Sequence, residues 1–330
     1  MRFRPELLGV VESPLVQIAT AAEAMPGALK LCYGESDMPT PAFICRAAYD
    51  ASLGGHTFYT HTAGAPELRE AMAAKVFELH GVTCQPTEII STVGASMAIY
   101  LAVRAFVGAG DNAVVISPGY AIFSNAVIMA GGLPRPVPLT LEGHRFRLDL
   151  DRVRAAIDPA TRMIVVNSFS KTYNMTGWRL GWAQGSERTI RLMYKAAEFM
   201  TSNPAAMVQQ AGIVALRDGE AYVGELRDHY AKRRTPATDA LVAIPGVSVP
   251  EAQGAFYAFP RIDGLTDSTA FTADLLRQTG VALAPGVAFG AAGESHVRLC
   301  FAATEQTLAT ALERFREFMV RGAGSAPATR

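Results

Sequence analysis

The amino-acid sequence predicts an α/β protein with a mostly parallel sheet and a second, smaller domain. Three observations support this class. Short apolar runs alternate with helical patterns along the chain, and this alternation favours a parallel sheet flanked by helices. A glycine opens a helical pattern directly after the apolar run 88–93. A polar loop that contains Lys171 follows the apolar run 163–166, and ligand sites of α/β sheets commonly lie where strands end.

Composition limits the classes of partner. The chain has 330 residues, half of them hydrophobic, with 30 basic and 30 acidic side chains. This length suffices for two domains with their own cores, and the balanced charge gives no reason to expect nucleic acid or an anionic membrane as a partner. We therefore expect a small-molecule ligand.

Targeting and metal-binding patterns are not found in the sequence. No apolar stretch reaches the roughly 18 residues of a spanning helix, and the first residues lack a secretory apolar region, so a cytoplasmic location is expected. The four cysteines, at 32, 45, 84 and 300, have no Cys-x-x-Cys spacing. We expect reduced thiols and no metal site.

The segment 167–182 contains the strongest functional signal. Lys171 is preceded by the hydroxyl of Ser168 and followed by Arg179. Most lysines are solvated surface charges. A lysine that is desolvated beside another cation is instead a nucleophilic amine, and arginine suits a phosphate group. Glycines at 177 and 181 would let the backbone approach a ligand closely.

Two motifs in this segment resemble a known signature. Ser-Phe-Ser-Lys at 168–171 and Gly-Trp-Arg-Leu-Gly-Trp at 177–182 are similar to the pyridoxal-phosphate lysine signature of class I/II aminotransferases. These are fold-type-I enzymes of the aspartate aminotransferase type. The resemblance implies pyridoxal 5'-phosphate (PLP) as cofactor, with Lys171 as the lysine that carries it and Ser168 and Arg179 as phosphate ligands. It also implies amino-group transfer between an α-amino acid and a 2-oxo acid.

The N-terminal part is predicted to be a helical arm over 1–30, followed by a short strand and a turn-rich loop at 34–41. On composition alone this loop is a connector. It is similar to the family's Gly-Glu-Pro-Asp-x-Pro-Thr-Pro loop, which implies that the backbone of Gly34 lies near the substrate carboxylate.

A tyrosine lies in the loop between two predicted helices, the first over 41–53 and the second from Pro66. An isolated loop tyrosine usually only packs its ring. In the family, the tyrosine at the position of Tyr59 reaches the cofactor phosphate of the other subunit. The resemblance therefore implies a homodimer with shared active sites.

The helix that starts at Gly94 is a candidate phosphate site, because a helix N-terminus presents unpaired N–H groups and a positive dipole end. Many strand-to-helix turns of this kind bind nothing. The resemblance implies that Gly94, Ala95 and Ser96 form the phosphate cradle.

The glycines at 108 and 110 precede the predicted strand 113–117, whereas a dinucleotide fingerprint follows its strand. This order excludes a nicotinamide cofactor site at these glycines. Tyr120 follows the same strand, and the family places an aromatic ring there against the pyridine face of the cofactor. A further strand is predicted over 133–139.

The second half is predicted to contain a long helix over about 201–234, a strand at 254–259 and a helix at 269–279. Arg298 lies in the apolar strand 296–302. A buried arginine needs an anionic partner, which a structural salt bridge or a ligand could supply. In the family this arginine binds the substrate α-carboxylate in a bidentate manner.

The predicted domains are an N-terminal arm and part of the small domain over 1–40, a large cofactor domain over 41–205, and the small domain over 206–330. The resemblance covers nearly the whole chain apart from one gap near 167–168, where the family's Asn-Pro-x-Gly loop and Asp-x-x-Tyr motif are missing. Two crossovers of roughly 30 residues each are absent. The central strands of the large sheet are therefore expected to be missing.

The missing aspartate is the one that holds the pyridine nitrogen of the cofactor. Asp149, Asp151 and Asp158 are poor substitutes, because they lie on the wrong side of the strand. Three explanations remain open: a naturally shortened homologue, a defective gene product joined at similar Val-Asn-Ser segments, and a sequence from which residues were omitted. The alternative to an active aminotransferase is a catalytically impaired, cofactor-binding or structural remnant.

Overall fold

The computed structural model describes residues 5–10, 12–158 and 165–323. Residues 163 and 164, the first two of the predicted strand 163–166, lie outside the described residues. The N-terminal arm contains two helices and a short strand. They are α1 Pro5–Leu8, α2 Pro14–Ala24 and β1 Leu29–Lys30. The predicted helical arm is confirmed for α1 and α2, but the short strand lies at Leu29–Lys30, within the predicted arm 1–30 and not after it. α2 begins at a proline, which suits the first turn of a helix.

The next part contains the strands and helices before the gap in the description. They are α3 Ala42–Leu53, α4 Pro66–His80, β2 Ile89–Val93, α5 Gly94–Phe106, β3 Asn112–Ser117, α6 Ile122–Met129, β4 Leu133–Pro138, β5 Thr140–Glu142, β6 Arg145–Arg147 and α7 Leu150–Ala156. A short 3₁₀ turn, Pro86–Glu88, precedes β2. The predicted helices from 41 and from Pro66, and the helix that opens at Gly94, are confirmed.

After the gap the chain forms the lysine segment and three long helices. These elements are β7 Val165–Ser168, α8 Phe169–Thr172, β8 Leu180–Gln184, α9 Glu187–Glu198, α10 Ala206–Asp218 and α11 Glu220–Val242. The C-terminal part follows. It consists of β9 Val247–Ser248, β10 Tyr257–Ala258, β11 Arg261–Ile262, α12 Ser268–Thr279, β12 Val281–Ala282, β13 Ala284–Pro285, the 3₁₀ turns Gly286–Phe289 and Ala291–Gly293, β14 Val297–Cys300 and α13 Glu305–Ala323.

The predicted long helix over about 201–234 is two helices in the structure. α10 ends at Asp218, and α11 begins two residues later at Glu220 and continues to Val242. Gly219 lies at the break, where an added Cβ would be 2.3 Å from the carbonyl oxygen of Ala215. The hydrophobic periodicity of the sequence does not reveal this break, because the pattern is helical both before and after Gly219.

The predicted α/β class is confirmed, and β8 is the strand that departs from parallel pairing among the described strands β2, β3, β4, β7 and β8. β8 lies between β2 and β7 and runs antiparallel to both. β3 and β4 form a separate parallel pair. Among the described strands β2, β3, β4, β7 and β8, the neighbouring strands that pair in parallel are β3 and β4. β2 and β7 run in the same direction as each other, because both are antiparallel to β8.

The two pieces of sheet are separated between β7 and β3. Within the described residues β7 pairs only with β8, and β3 pairs only with β4. An apolar cavity of about 140 Å³ is lined by Val166 of β7 and by Val114 and Val115 of β3. The sheet is thus interrupted where the sequence analysis expects central strands to be missing.

Two buried clusters form the main cores. One contains Leu68, Met72, Phe169 and Trp182, and residues of α10 pack into it. The other contains C-terminal residues together with Leu31 from the N-terminal part, and β1 pairs in parallel with β12. The predicted domain boundaries, including the one at 205, stay predictions. None of the helices in the described part of the chain is long and apolar enough to cross a membrane.

Candidate active site

Lys171 is held at the end of β7 by the short helix α8. The hydroxyl of Ser168 caps this helix and accepts a hydrogen bond from the backbone N–H of Ser170 at 3.1 Å. Phe169 is fully buried and its ring centroid lies 5.1 Å from that of Trp182. Burying a side chain of this size contributes about 1.5–3 kcal/mol. The backbone that carries Lys171 is therefore anchored in the core.

The amine of Lys171 donates a short hydrogen bond to the backbone oxygen of Gly34. Lys171 is exposed as a whole residue, but its amine is partly buried by the surrounding protein. This desolvation is the main cause that lowers its pKa; Arg298 and Arg179 lower the pKa further, whereas Glu35 and Cys300 raise it. A lowered pKa increases the fraction of neutral, nucleophilic amine near neutral pH.

The backbone of Gly34 packs closely against the side chains of Tyr257 and Lys171. A Cβ added at Gly34 would be 2.1 Å from the hydroxyl of Tyr257 and 3.5 Å from the amine of Lys171. The structure therefore brings together two residues that the sequence analysis named from separate motifs. It also adds Tyr257, whose pKa is raised to about 12 by burial.

The N-terminus of α5 and Arg179 form a second group. Gly94 begins the helix with φ +74°, and an added Cβ would be 2.3 Å from Nη2 of Arg179. A Cβ added at Gly181 would likewise be 2.5 Å from the backbone nitrogen of Ala95. The guanidinium group therefore lies directly against the helix N-terminus, whose unpaired N–H groups favour an anion.

Ser96 lies in the first turn of α5, and Ser168 lies at the end of β7 next to Gly181 in the strand register. The structure gives the Ser168 hydroxyl a helix-capping role. Arg179 itself has φ +52° and donates to the backbone oxygen of Thr176 at 3.0 Å. These contacts fix the loop that carries Arg179 beside the helix.

Arg298 lies between two aromatic rings. Its guanidinium carbon is 4.4 Å from the ring centroid of Tyr257 and 4.6 Å from that of Phe289. Nη2 donates to the backbone oxygen of Cys32 at 2.5 Å. Its Nε is buried and has no hydrogen-bond partner among the described residues. Burial is also the main cause that lowers the pKa of Arg298.

The structural salt bridge that was the alternative for Arg298 is not found among the ion pairs of the described residues. A buried guanidinium group with an unpaired N–H is costly unless an anion binds there. A carboxylate ligand would supply this partner. The environment of Arg298 is thus suited to binding a substrate carboxylate.

The two predicted tyrosines differ in position. Tyr120 lines the same cavity as Phe289, whose ring stacks on Arg298. Tyr59 is 91% exposed and lies outside this group within the single chain. The structure therefore gathers Gly34, Lys171, Arg298 and Tyr120, and it places Tyr59 on the surface.

Sequence reasoning missed Tyr257, Phe289 and Glu35 as members of the site. Tyr257 and Phe289 stack on Arg298, and Glu35 accepts a hydrogen bond from the hydroxyl of Thr176. The sequence predicts a loop at Glu35 and a strand at Tyr257, without a role in the site for either residue. Their contacts join residues far apart in the chain, and no local pattern reveals such contacts.

The site fits most of a cofactor that carries an aldehyde and a phosphate. The amine of Lys171 suits the aldehyde, and the N-terminus of α5 with Arg179 suits the phosphate. A carboxylate for a ring nitrogen is not evident among the described residues. Asp149 caps α7 and Asp158 pairs with Arg135 at 2.7 Å. No group of three or more possible metal ligands is found in the described part of the chain.

Comparisons with known proteins agree with this site. The family described as aminotransferase class I and II matches residues 26–165 and 158–315. Aspartate aminotransferase from Pyrococcus horikoshii is 30% identical to this chain. The alignment has 374 positions and covers 94% of this chain and 95% of that protein. Aromatic-amino-acid aminotransferase 2 from Thermococcus litoralis is 29% identical, over 97% of this chain and 98% of that protein.

The fold agrees as well. A solved structure of aspartate aminotransferase from Thermus thermophilus with maleate has a TM-score of 0.90 and 29% identity, over 96% of this chain and 100% of that chain. The chain belongs to the class I and II aminotransferase family. It is a PLP-dependent aminotransferase of fold type I that moves an amino group between an amino acid and a 2-oxo acid.

The comparisons also bear on the missing segment. The two matched segments of the family meet at residues 158–165. The alignment with the Pyrococcus horikoshii enzyme has 374 positions, and 94% of the 330 residues of this chain is about 310. About 64 aligned positions therefore have no counterpart in this chain. This number is close to two crossover units of about 30 residues each. Both observations support an internal deletion, but the family match places it at residues 158–165 and not near 167–168, where it was predicted.

Proposed function

We propose that the cleft between Gly34, Lys171 and Arg298 is the active site of this aminotransferase. Gly94, Ala95, Ser96, Ser168 and Arg179 would hold the phosphate of PLP, and Tyr120 would lie against its ring. When bound, PLP supplies the electron sink that makes the α-proton of an amino acid removable. The single observation that supports this proposal is the convergence of Lys171 with Gly34 and Arg298 in one cleft.

Lys171 has two roles in this proposal. Its neutral amine attaches the cofactor, and burial together with the cations Arg298 and Arg179 favours that neutral form. The same amine would remove and return the α-proton of the substrate as general base and acid. The fixed backbone of α8 keeps the amine at one position for both steps.

Arg298 orients the substrate through its α-carboxylate. Tyr257 and Phe289 hold the plane of the guanidinium group from both sides, and the bond to Cys32 leaves the unpaired Nε for the ligand. A planar guanidinium group held in this way suits bidentate binding of a carboxylate. Because every amino acid has this carboxylate, the contact is shared by all donors.

Replacing Arg298 with alanine should raise KM for every amino donor. Loss of a buried charged contact costs about 2–5 kcal/mol, which corresponds to roughly 30- to 4000-fold in kcat/KM. Arg298→Lys keeps the charge but loses the planar fork, and we expect an intermediate effect. The measurement is kcat/KM for a panel of amino acids. A loss confined to one donor would contradict the shared role of Arg298.

We propose that the enzyme works as a homodimer in which Tyr59 of one subunit reaches the cofactor phosphate of the other. An exposed apolar surface supports this proposal. Tyr59 and Phe58 are 91% and 80% exposed, and Phe199 and Leu53 are 87% and 72% exposed. Large exposed apolar side chains of this kind are typical of protein interfaces.

Mixing two inactive variants tests the shared site. Tyr59→Ala should weaken PLP binding, and Lys171→Ala should remove catalysis. If subunits exchange, mixed dimers contain one site with both residues intact, so the mixture should regain activity that neither variant shows alone. Tyr49→Ala is the matched control, because Tyr49 is a 56% exposed tyrosine on α3 with no predicted role. A monomer in analytical ultracentrifugation, or no recovery on mixing, would refute the proposal.

We also propose a cytoplasmic location. All four cysteines are free, and three of them are buried. Unpaired cysteines are usual in reducing compartments. Cell fractionation with an antibody against the chain tests this proposal, and recovery from an oxidising compartment would overturn it.

A further inference from the structure

We propose that Phe259 and His296 are positioning residues for substrate binding. Their stacked rings support the ring of Phe289, and Phe289 in turn fixes the guanidinium group of Arg298. The inference rests on the proposed function, in which Arg298 binds the α-carboxylate, and it adds two residues to that site. The contacts that support it join described residues within one chain.

A continuous series of ring contacts leads to Arg298. The Phe289 ring centroid lies 4.6 Å from the guanidinium carbon. Phe259 meets the Phe289 ring edge to face, with centroids 5.8 Å apart and an interplanar angle of 87°. His296 stacks on the Phe259 ring at 4.7 Å and 8°, and Phe146 of β6 lies beside both rings at 6.1 Å and 6.2 Å. These distances are those of favourable aromatic pairs, so each ring limits the movement of the next.

His296 also fixes the backbone that carries Phe289. The 3₁₀ turn that ends at Phe289 follows β13, and β13 pairs with β14, which contains Arg298. The N–H of Gly286, the first residue of this turn, donates to the backbone oxygen of His296 at 3.0 Å. A Cβ added at Gly286 would be 2.3 Å from the same oxygen. The turn therefore packs tightly against His296 and has little freedom to carry Phe289 away from Arg298.

His296 serves here as a flat, uncharged ring. The residue is 6% exposed, and its Nε2 is buried without a hydrogen-bond partner among the described residues. Burial is the main cause that lowers the pKa of His296; Arg261 lowers it further, whereas the backbone hydrogen bond with Gly293 raises it. The imidazole is therefore neutral near pH 7, and it packs on Phe259 without the cost of a buried charge.

The support behind Phe289 should matter for carboxylate binding. An arginine side chain loses conformational entropy when it is held in one arrangement, and binding is tighter when that arrangement exists before the ligand arrives. Bidentate binding of a carboxylate also requires a fixed guanidinium plane. Without the rings behind it, Phe289 would leave Arg298 free to tilt. We expect carboxylate binding to weaken by about three- to tenfold, the scale of one aromatic pair.

Phe259→Leu tests the inference in the PLP-loaded protein. Isothermal titration calorimetry with acetate, butanoate and 3-phenylpropanoate measures carboxylate binding without turnover. Phe271→Leu is the matched control, because Phe271 is also a partly buried phenylalanine that meets another ring, that of Phe315, edge to face. We expect about three- to tenfold weaker binding in the Phe259 variant and wild-type binding in the control. Equal affinities of the two variants would overturn the inference.

Kinetics with a panel of amino acids gives a second readout. Phe259→Leu should raise KM for every amino donor and leave kcat nearly unchanged, because the contact of Arg298 with the carboxylate exists before and during the reaction. A fall in kcat with an unchanged KM would contradict a role in carboxylate binding.

The Arg298→Lys background shows whether Phe259 acts through the guanidinium group. Lysine keeps the charge but has no planar group for Phe289 to hold. Phe259→Leu should therefore change carboxylate binding by less than about twofold in this background. An effect of the same size in both backgrounds would overturn the inference, because Phe259 would then not act through Arg298.

Two variants of His296 test the need for a flat ring. His296→Phe keeps a ring on Phe259 and should bind the carboxylates as the wild type does. His296→Ala removes the ring and should bind them about three- to tenfold more weakly. Equal affinities of these two variants would overturn the role of His296.

Arg298→Ala separates the inference from the proposed function. If this variant binds the carboxylates as tightly as the wild type, or if the wild type binds none of them, the carboxylate role of Arg298 is wrong and the inference fails with it. If Arg298→Ala weakens binding but Phe259→Leu does not, the inference alone fails. Phe259→Met, which has a flexible side chain of similar size, is measured beside the leucine variant with the same expected result, so the test does not depend on the folding of one variant.

Discussion

Replacing Lys171 with alanine should abolish transamination and the covalent attachment of PLP. The variant loses the amine that attaches the cofactor and the group that moves the α-proton. A general acid–base group alone contributes up to about 10⁴-fold in rate, so we expect at least this loss. Borohydride reduction of the loaded wild-type protein, followed by peptide mass spectrometry, should locate the cofactor on Lys171.

The matched control for this variant is Lys195→Ala. Lys195 is an exposed lysine near the end of α9 and has no predicted role in the site. This control should keep the cofactor absorbance, the labelled peptide and the activity of the wild type. A cofactor adduct on another lysine in the wild type, or unchanged activity of Lys171→Ala, would refute the assignment of Lys171.

The part of the site that the sequence predicts consists of residues within local motifs. Lys171 and Arg179 lie in one long signature, and Gly94 is recognisable because a glycine opens a helix after a strand. The structure then explains why these positions need their residues. Gly94 has φ +74°, which favours glycine, and a Cβ at Gly34 would require the Tyr257 side chain to shift.

The part that the sequence does not predict depends on contacts between distant segments. Phe289 and Tyr257 enclose Arg298 from two different elements, and neither residue type signals this role. The direction of β8 is a similar case. The residues of one strand do not reveal whether its neighbours will run parallel or antiparallel to it.

The sheet is interrupted between β3 and β7, and this interruption bears on the expected rate of amino-group transfer. The family match divides at residues 158–165, and the sheet is divided at the same point of the chain. The absent segment contains the family's Asp-x-x-Tyr motif. The phosphate contacts lie elsewhere, at the N-terminus of α5 and at Arg179, and charge-assisted bonds to a phosphate are strong. Binding of PLP therefore depends less on the absent segment than catalysis does.

Restoring the absent segment should raise the rate of amino-group transfer by at least about 10²- to 10³-fold. This is the usual effect of one well-placed electrostatic group, and the loss here also includes the asparagine and tyrosine of the same segment. The experiment inserts the corresponding segment of the Pyrococcus horikoshii enzyme between residues 158 and 165. The measurement is the single-turnover change in cofactor absorbance with a panel of amino acids, for the chain with and without the insert.

The aspartate of the inserted segment provides the decisive control. Replacing it with asparagine keeps the restored strands but removes the carboxylate that holds the pyridine nitrogen, so most of the gain should disappear. If the asparagine version is as fast as the aspartate version, the gain comes from repair of the sheet and not from the carboxylate. A rate of about 1 to 10³ per second for the 330-residue chain itself, which is ordinary for enzymes, would show that another group already supplies the missing function.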